Sequence, residues 1–220
     1  MIKSFLVIGM GRFGTAVAKQ LCELGHEVLA VDSHEVQIEH VQDMVTHAII
    51  ADATEERTLK SLGIRNYDTV IVAIGQDLTS SVLVTLAVKE LGANRVICKA
   101  RDEQHRKILE QIGADRVIIP EEESGAKLAL QVSEKNVIDS LEVSETFGIL
   151  EITLPARWVG KRIRQIDIYK KYACFVAAVK KSDPDDPTVI SPPGPDYVFE
   201  ATDVLVLLGD KDDLTKVSHL

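Results

Sequence analysis

The chain has 220 residues, 45% of them hydrophobic and 27% charged, and a formal net charge of −9. That length suits one large domain or two small ones, and the apolar content excludes an intrinsically disordered chain. The acidic surplus, with no clustered run of Lys and Arg, makes nucleic acid a poor partner.

In chain order, Phe5-Leu6-Val7-Ile8 predicts a strand, and Gly9-Met10-Gly11-Arg12-Phe13-Gly14 a turn that opens a helix. Gly9 makes the tight turn, Gly11 lets phosphate approach the backbone, and Gly14 lets the helix pack on the strand. The helix start adds free N–H groups and a partial positive charge, so this segment is expected to bind an anion. Phe13, Val17, Leu21 and Leu24 form the helix stripe, which stops at Gly25. The second strand, 28–31, ends in Asp32, at about the twenty-residue offset where a carboxylate takes ribose hydroxyls. Ser33 and His34 follow, with no arginine to meet a 2′-phosphate, so ATP or ADP is expected, with NAD or NADH as the alternative.

Further strands are predicted at 48–51, 70–74, 96–99 and 117–119, mostly continuous apolar runs of the kind buried on both faces of a parallel sheet. Their helices stop at Leu62-Gly63, Leu91-Gly92 and Ile112-Gly113, where glycine suits the C-terminal cap. Right-handed crossovers then give a doubly wound, Rossmann-like α/β sheet in the order 3-2-1-4-5-6, with ligands beyond the strand C-termini. Candidate contacts there are Asp52, Ala53 and Thr54 after the third strand, Ile74 and Gly75 after the fourth, Lys99 ending the fifth and Glu121 after the sixth. Thr54 reads first as a helix N-cap and second as an adenine-side contact. Arg12 reads either as a phosphate contact or as a solvated side chain at a helix start. Glu121 is either a ligand for a divalent cation against phosphate or an acid that the helix dipole favours.

After Pro120 a helix is predicted over 124–140, with Ala126, Leu130, Val137 and Leu141 on one side, as a connector. Strands at 150–154, 175–179, 188–190 and 204–208, with turn-rich segments at 183–187 and 192–195, predict a smaller C-terminal α+β lobe. Trp158 beside Lys161, Arg162 and Arg164 is a ligand or protein contact, or a packing residue.

No catalytic constellation is legible. The six histidines lack metal-binding spacing, no serine sits in a GxSxG-like elbow, and Cys22, Cys98 and Cys174 have no CxxC spacing. The scattered cysteines suit a reducing compartment. Only four residues precede the first strand and no apolar run is long enough to span a bilayer, so a cytoplasmic location is expected.

The stretches 5–14, 25–32, 61–66, 70–75 and 112–121 together resemble the RCK (KTN/TrkA-type) regulatory subunits of bacterial Ktr and Trk potassium-uptake systems, with Gly-x-Gly-Arg-Phe-Gly most similar to the Ktr branch. The resemblance implies a cytoplasmic, non-enzymatic regulator that gates potassium uptake, organised as a nucleotide-binding lobe at 1–122, a crossover helix and linker at 123–143, and a ligand-binding and dimerisation lobe at 144–220. It also implies dimers joined into an octameric ring, a helix exchanged between protomers, and a membrane potassium-translocating partner (KtrB/TrkH-like) that holds the ring peripherally at the membrane. By position, Arg12 looks like the γ-phosphate contact, Asp32 the ribose ligand and Lys99 a phosphate-side cation. Glu121 looks like the acid that places a divalent ion between neighbouring nucleotides.

The resemblance further implies a cyclic di-AMP pocket near 163–175, with the family pattern partly kept. Asp167-Ile168 is followed by Tyr169 where an arginine is usual, Lys171-Tyr172-Ala173 stands for Lys-Tyr-Gly, and 183–195 is longer than the expected turn. The rival readings are an NAD-dependent oxidoreductase and a stand-alone nucleotide sensor.

Overall fold

A computed structural model describes residues 1–181 and 188–220. The 183–187 turn, and with it the first part of the 183–195 insertion, lies outside the described residues. The chain divides into two compact units, Met1–Pro120 and Glu121–Leu220.

The first unit alternates strands and helices: β1 Ser4–Ile8, α1 Arg12–Glu23, β2 Glu27–Asp32, α2 Glu35–Val41, β3 His47–Ile50, α3 Glu56–Leu62, β4 Thr69–Val72, α4 Leu78–Glu90, β5 Val96–Lys99, α5 Glu103–Gln111 and β6 Arg116–Ile118. The six strands are parallel in the expected order β3-β2-β1-β4-β5-β6. Side chains alternate along each strand, so the two faces fill separately. Leu6, Ile8, Val70, Val72 and Val96 pack with Leu59, Val84, Val88 and Leu109 of α3, α4 and α5. Val7, Val28, Ala30 and Ile71 pack on the other face with Ala18, Ile38 and Val41 of α1 and α2. Helices on both faces are what make a doubly wound sheet, and burial on both sides is why the central strands β1, β2 and β4 read as apolar runs, whereas the edge strand β3 leaves Ile49 and Ile50 exposed. The glycines at 25, 63, 92 and 113 all take positive φ at helix ends.

A buried polar chain runs through this core. The Arg101 N–H donates to His105 Nδ1 at 3.3 Å, which leaves the ring hydrogen on Nε2 to donate to Ser81 Oγ at 3.1 Å. Thr85 Oγ1 donates to the Ser81 carbonyl at 2.7 Å and lies 3.4 Å from Cys98 Sγ. Burial holds His105 below the ordinary histidine range; Asp102 opposes that shift and Arg101 adds to it. Because the unfolded chain protonates this histidine more readily, stability is expected to fall as pH drops through about 6.5 and on toward the lower value of the folded state. Urea unfolding followed by far-ultraviolet circular dichroism at pH 7.5 and 5.5 checks this. The drop should shrink in His105→Gln, and an unchanged drop would show that the ring does not carry it.

The second unit contains α6 Pro120–Ser133, which begins at the boundary, then β7 Val137–Glu142, β8 Phe147–Thr153, α7 Ile163–Ile166, α8 Ile168–Tyr172, β9 Phe175–Lys181, β10 Val189–Ile190, β11 Asp203–Asp210 and α9 Lys211–Ser218. Among the described residues its five strands form an antiparallel sheet ordered β10-β9-β11-β8-β7. One core joins Leu150, Ile152, Leu205 and Leu207 to Trp158, Ile166, Ile168, Phe199, Leu214 and Val217.

The helix expected over 124–140 is a correction: α6 stops at Ser133, and 137–142 form the edge strand β7. Asn136 marks the break, its side chain donating to the Ser218 carbonyl at 3.4 Å while its own carbonyl accepts the Thr153 N–H at 2.8 Å. Among the described residues no helix is long and apolar enough to cross a membrane.

Candidate functional site

The site is built where β1 turns into α1. Gly9 has φ +96°, and its N–H donates to the Val31 carbonyl at 2.8 Å. A Cβ there would be strained by that φ and would meet Ala73 and Ile74 at 3.2 Å. Gly14 is buried, and a Cβ on it would run into the Gly9 carbonyl oxygen and lie 3.1 Å from Ala73 Cβ. Gly11 is different: it caps α1 in extended conformation, φ −70°, and a Cβ there would meet nothing within 4 Å. The first-turn N–H groups of α1 have no intrahelical acceptor. No acidic side chain occupies that turn, so its partial positive charge has no carboxylate partner on α1 itself.

Asp32, at the end of β2, is tied to this turn. One carboxylate oxygen accepts the Met10 N–H at 2.7 Å; the other accepts the His34 N–H at 2.9 Å and lies 3.0 Å from His34 Nδ1. Ser33 Oγ sits 3.2 Å from the same imidazole nitrogen. The acid is therefore held against the glycine turn, with one oxygen less encumbered than the other. The sequence reading missed the part played by His34; an acid followed two residues later by a helix N-cap is the signal that marks such a turn.

Strands β4 and β5 close the opposite side. The Ala73 N–H donates to the Ile8 carbonyl at 2.7 Å, which carries Ile74 and Gly75 past the glycine turn. Lys99 crosses Gly75, whose missing Cβ would lie 3.2 Å from Lys99 Cε and 3.5 Å from Nζ. The same Nζ is 5.9 Å from the Phe13 ring centroid. The structure thus gathers Gly9, Gly11, Phe13, Gly14, Asp32, Ile74, Gly75 and Lys99 at one end of the sheet, with Arg12 exposed on the first residue of α1.

Asp52, Ala53 and Thr54 make a self-contained turn. The Thr54 N–H and hydroxyl both donate to Asp52 Oδ1, at 2.9 and 2.7 Å, and these bonds hold the Asp52 carboxyl below its usual range. Ala53 is buried. The expected N-cap at Thr54 is corrected: Glu55 is the N-cap of α3, because the Thr54 hydroxyl is already bonded to Asp52. Glu121 belongs to the second unit, in the first turn of α6 with Glu122 and Glu123. Among the described residues no group of three or more His, Cys, Asp and Glu side chains gathers in metal-binding geometry.

Over 163–175, Tyr169 and Phe175 are exposed and face each other with ring centroids 4.5 Å apart. Arg162 and Arg164 both pair with Asp196, at 3.4 and 2.9 Å, whereas Trp158 is buried.

Comparison with known proteins agrees with both units. Residues 5–120 match the TrkA-N domain and 149–220 the TrkA-C domain. The chain is 41% identical over 217 residues to Ktr system potassium uptake protein A of Bacillus subtilis, covering 99% of this chain and 96% of the relative. It is 38% identical to Ktr system potassium uptake protein C of the same organism, covering 98% and 96%. Among solved structures, the GsuK channel bound to NAD superposes with a TM-score of 0.70 at 17% identity. That superposition spans all of this chain and 39% of the channel chain, a likeness of fold.

Proposed function

The chain belongs to the family that joins a TrkA-N to a TrkA-C domain, the Ktr potassium-uptake proteins among it, and from this premise we propose that it is a nucleotide-sensing regulatory subunit of potassium uptake. It works on the cytoplasmic side as a regulator and not as an enzyme. The observation that carries this reading is the Asp32 carboxylate bonded to the Met10 N–H, which holds the acid proposed for ribose against the turn proposed for phosphate.

The ligand is ATP or ADP. Arg12 stands on the first turn of α1, one residue beyond the open face of Gly11, where a terminal phosphate gains a charge-assisted contact that a monophosphate cannot reach. NAD is the ligand named for the GsuK structure, and Asp32 serves either ribose. Lys99 sits on the phosphate side, with Ser33 and the Asp52–Thr54 turn flanking the ribose and base. Glu121 offers one carboxylate oxygen to a divalent ion, a fit for magnesium, which takes one or two carboxylates and completes its shell from phosphates and water. In the second unit the exposed rings of Tyr169 and Phe175 offer stacking faces for the adenines of cyclic di-AMP, in place of a guanidinium for its phosphates.

Regulation follows from assembly. Dimers that exchange α6 build an octameric ring beneath a KtrB/TrkH-like membrane subunit. ATP and ADP shift that ring only to the extent that they bind its conformations with different affinities.

Calorimetric titration of the full chain with ATP, ADP, AMP and NADH, beside a mass measurement, tests the reading. Arg12→Ala is expected to weaken ATP by roughly ten- to a hundredfold, the equivalent of one charge-assisted bond, while AMP affinity stays near that of the parent protein. Equal losses for both would show that Arg12 does not read the terminal phosphate. A monomer that binds NADH alone would overturn the regulator.

A further inference from the structure

We propose that the second unit carries a phosphate-binding pocket of its own, distinct from the nucleotide turn and from the Tyr169–Phe175 face. It is a concavity of about 210 Å³ whose lining includes Arg157, Trp158, Lys161, Gln165, Lys171 and Tyr172. Three cations surround it, and no carboxylate contributes to its wall. In a chain of net charge −9 that is a local inversion of sign. Among the described residues, Arg157, Lys161 and Lys171 have no ion-pair partner, whereas the neighbouring Arg162 and Arg164 are both held by Asp196. Three like charges around one hollow repel each other, and an anion in the hollow relieves that repulsion.

The walls are held in place before any ligand arrives. The Phe199 N–H donates to the Lys161 carbonyl and the Gly160 N–H to the Phe199 carbonyl, at 3.0 and 2.8 Å, so the backbone that presents Lys161 is pinned to the 199 segment. Arg157 Nη2 donates to the Tyr172 hydroxyl at 3.2 Å, which orients the guanidinium. Trp158 forms a buried floor between Tyr172 and Phe199, with ring centroids at 6.0 and 6.4 Å. Gln165 and the Tyr172 hydroxyl add neutral hydrogen-bonding groups, which suit an oxyanion with several acceptors. The volume lies below the roughly 300–1,000 Å³ of pockets for drug-sized ligands, so the occupant is a single phosphate group, free or as a small monoester.

Trp158 is the only tryptophan of the chain, so its emission reports on this pocket. Full-length protein titrated with inorganic phosphate, and separately with glycerol 3-phosphate, should show a saturable change that sodium chloride of equal ionic strength does not produce. A response to the ester alone assigns the pocket to monoesters, and a response to both assigns it to the phosphate group itself. The double variant Lys161→Gln, Lys171→Gln should weaken that response at least about tenfold, the loss of one or more charge-assisted bonds. Arg12→Ala should leave it unchanged, which separates it from the nucleotide site. No saturable change in the parent protein, an undiminished response in the double variant, or loss of the response in Arg12→Ala would each overturn the proposal.

Discussion

Gly14→Ala should cost the first unit nucleotide binding and much of its stability, whereas Gly11→Ala should cost binding alone. The difference lies in what each added methyl meets. At position 14 it collides with the Gly9 carbonyl oxygen, a backbone atom that cannot rotate away, and it also crowds Ala73 Cβ at 3.1 Å. Either α1 lifts off the sheet or the Gly9 turn deforms. Overpacking of this kind costs about 1–3 kcal/mol, and more where backbone is the obstacle. The shift also moves the N–H groups of the first helical turn, and losing one or two charge-assisted bonds to phosphate weakens binding by roughly a hundredfold or more. At position 11 the methyl meets no protein atom and φ is ordinary for any residue, so the melting temperature should hold. It then occupies the space through which a phosphate approaches the backbone, and affinity should fall. Thermal unfolding by circular dichroism together with ATP calorimetry on both variants checks the pair. A Gly11→Ala protein that binds ATP like the parent would place the phosphates elsewhere.

The parallel sheet was legible because its central strands β1, β2 and β4 are buried on both faces and therefore written as apolar runs, while glycines that the helix ends require punctuate the chain. The nucleotide turn was legible because its demands lie within the motif: Gly9 takes a positive φ, and Gly14 leaves no room for a Cβ against the Gly9 carbonyl. What was hidden depends on partners distant in sequence. Val137, Ile138 and Leu141 satisfy a helical stripe as well as a half-exposed edge strand, and only pairing with β8 decides between them. Thr54 has the composition of an N-cap, yet Asp52 two residues earlier captures its hydroxyl and passes the cap to Glu55. Ala173 sits at φ 54°, in the left-handed region that favours glycine, so Lys171-Tyr172-Ala173 in place of the expected Lys-Tyr-Gly carries a strained backbone that composition alone does not announce. Trp158 reads as a floor only once Phe199 and Tyr172 are seen on either side of it.

The second large effect concerns the lobe that has no glycine motif to announce it. Asp203 opens β11 with a side chain that has no solvent exposure, and it accepts Lys181 Nζ at 2.8 Å, the Tyr197 hydroxyl at 3.0 Å and the Glu200 N–H at 2.8 Å. Burial alone would push the Lys181 amine down, but its hydrogen bonds to Asp203, Glu200 and Tyr197 outweigh that and hold it above the usual lysine range. The ammonium also lies 5.7 Å from the Tyr197 ring centroid. These bonds join the end of β9 to the start of β11, two neighbouring strands of the antiparallel sheet. Asp203→Ala leaves Lys181 largely buried with the exposed Glu200 as its one remaining charged partner, and takes their acceptor from the Tyr197 hydroxyl and the Glu200 N–H, so it should destabilise the second unit by about 3–5 kcal/mol. Asp203→Asn keeps an acceptor for Tyr197 and Glu200 while removing the charge, and should fall between the two. Urea unfolding followed by Trp158 emission reads this unit selectively, because that side chain packs in its core and the first unit has no tryptophan. A loss below about 1 kcal/mol in Asp203→Ala, the range of an exposed pair, would mean that water reaches Lys181 and that the sheet does not depend on this junction.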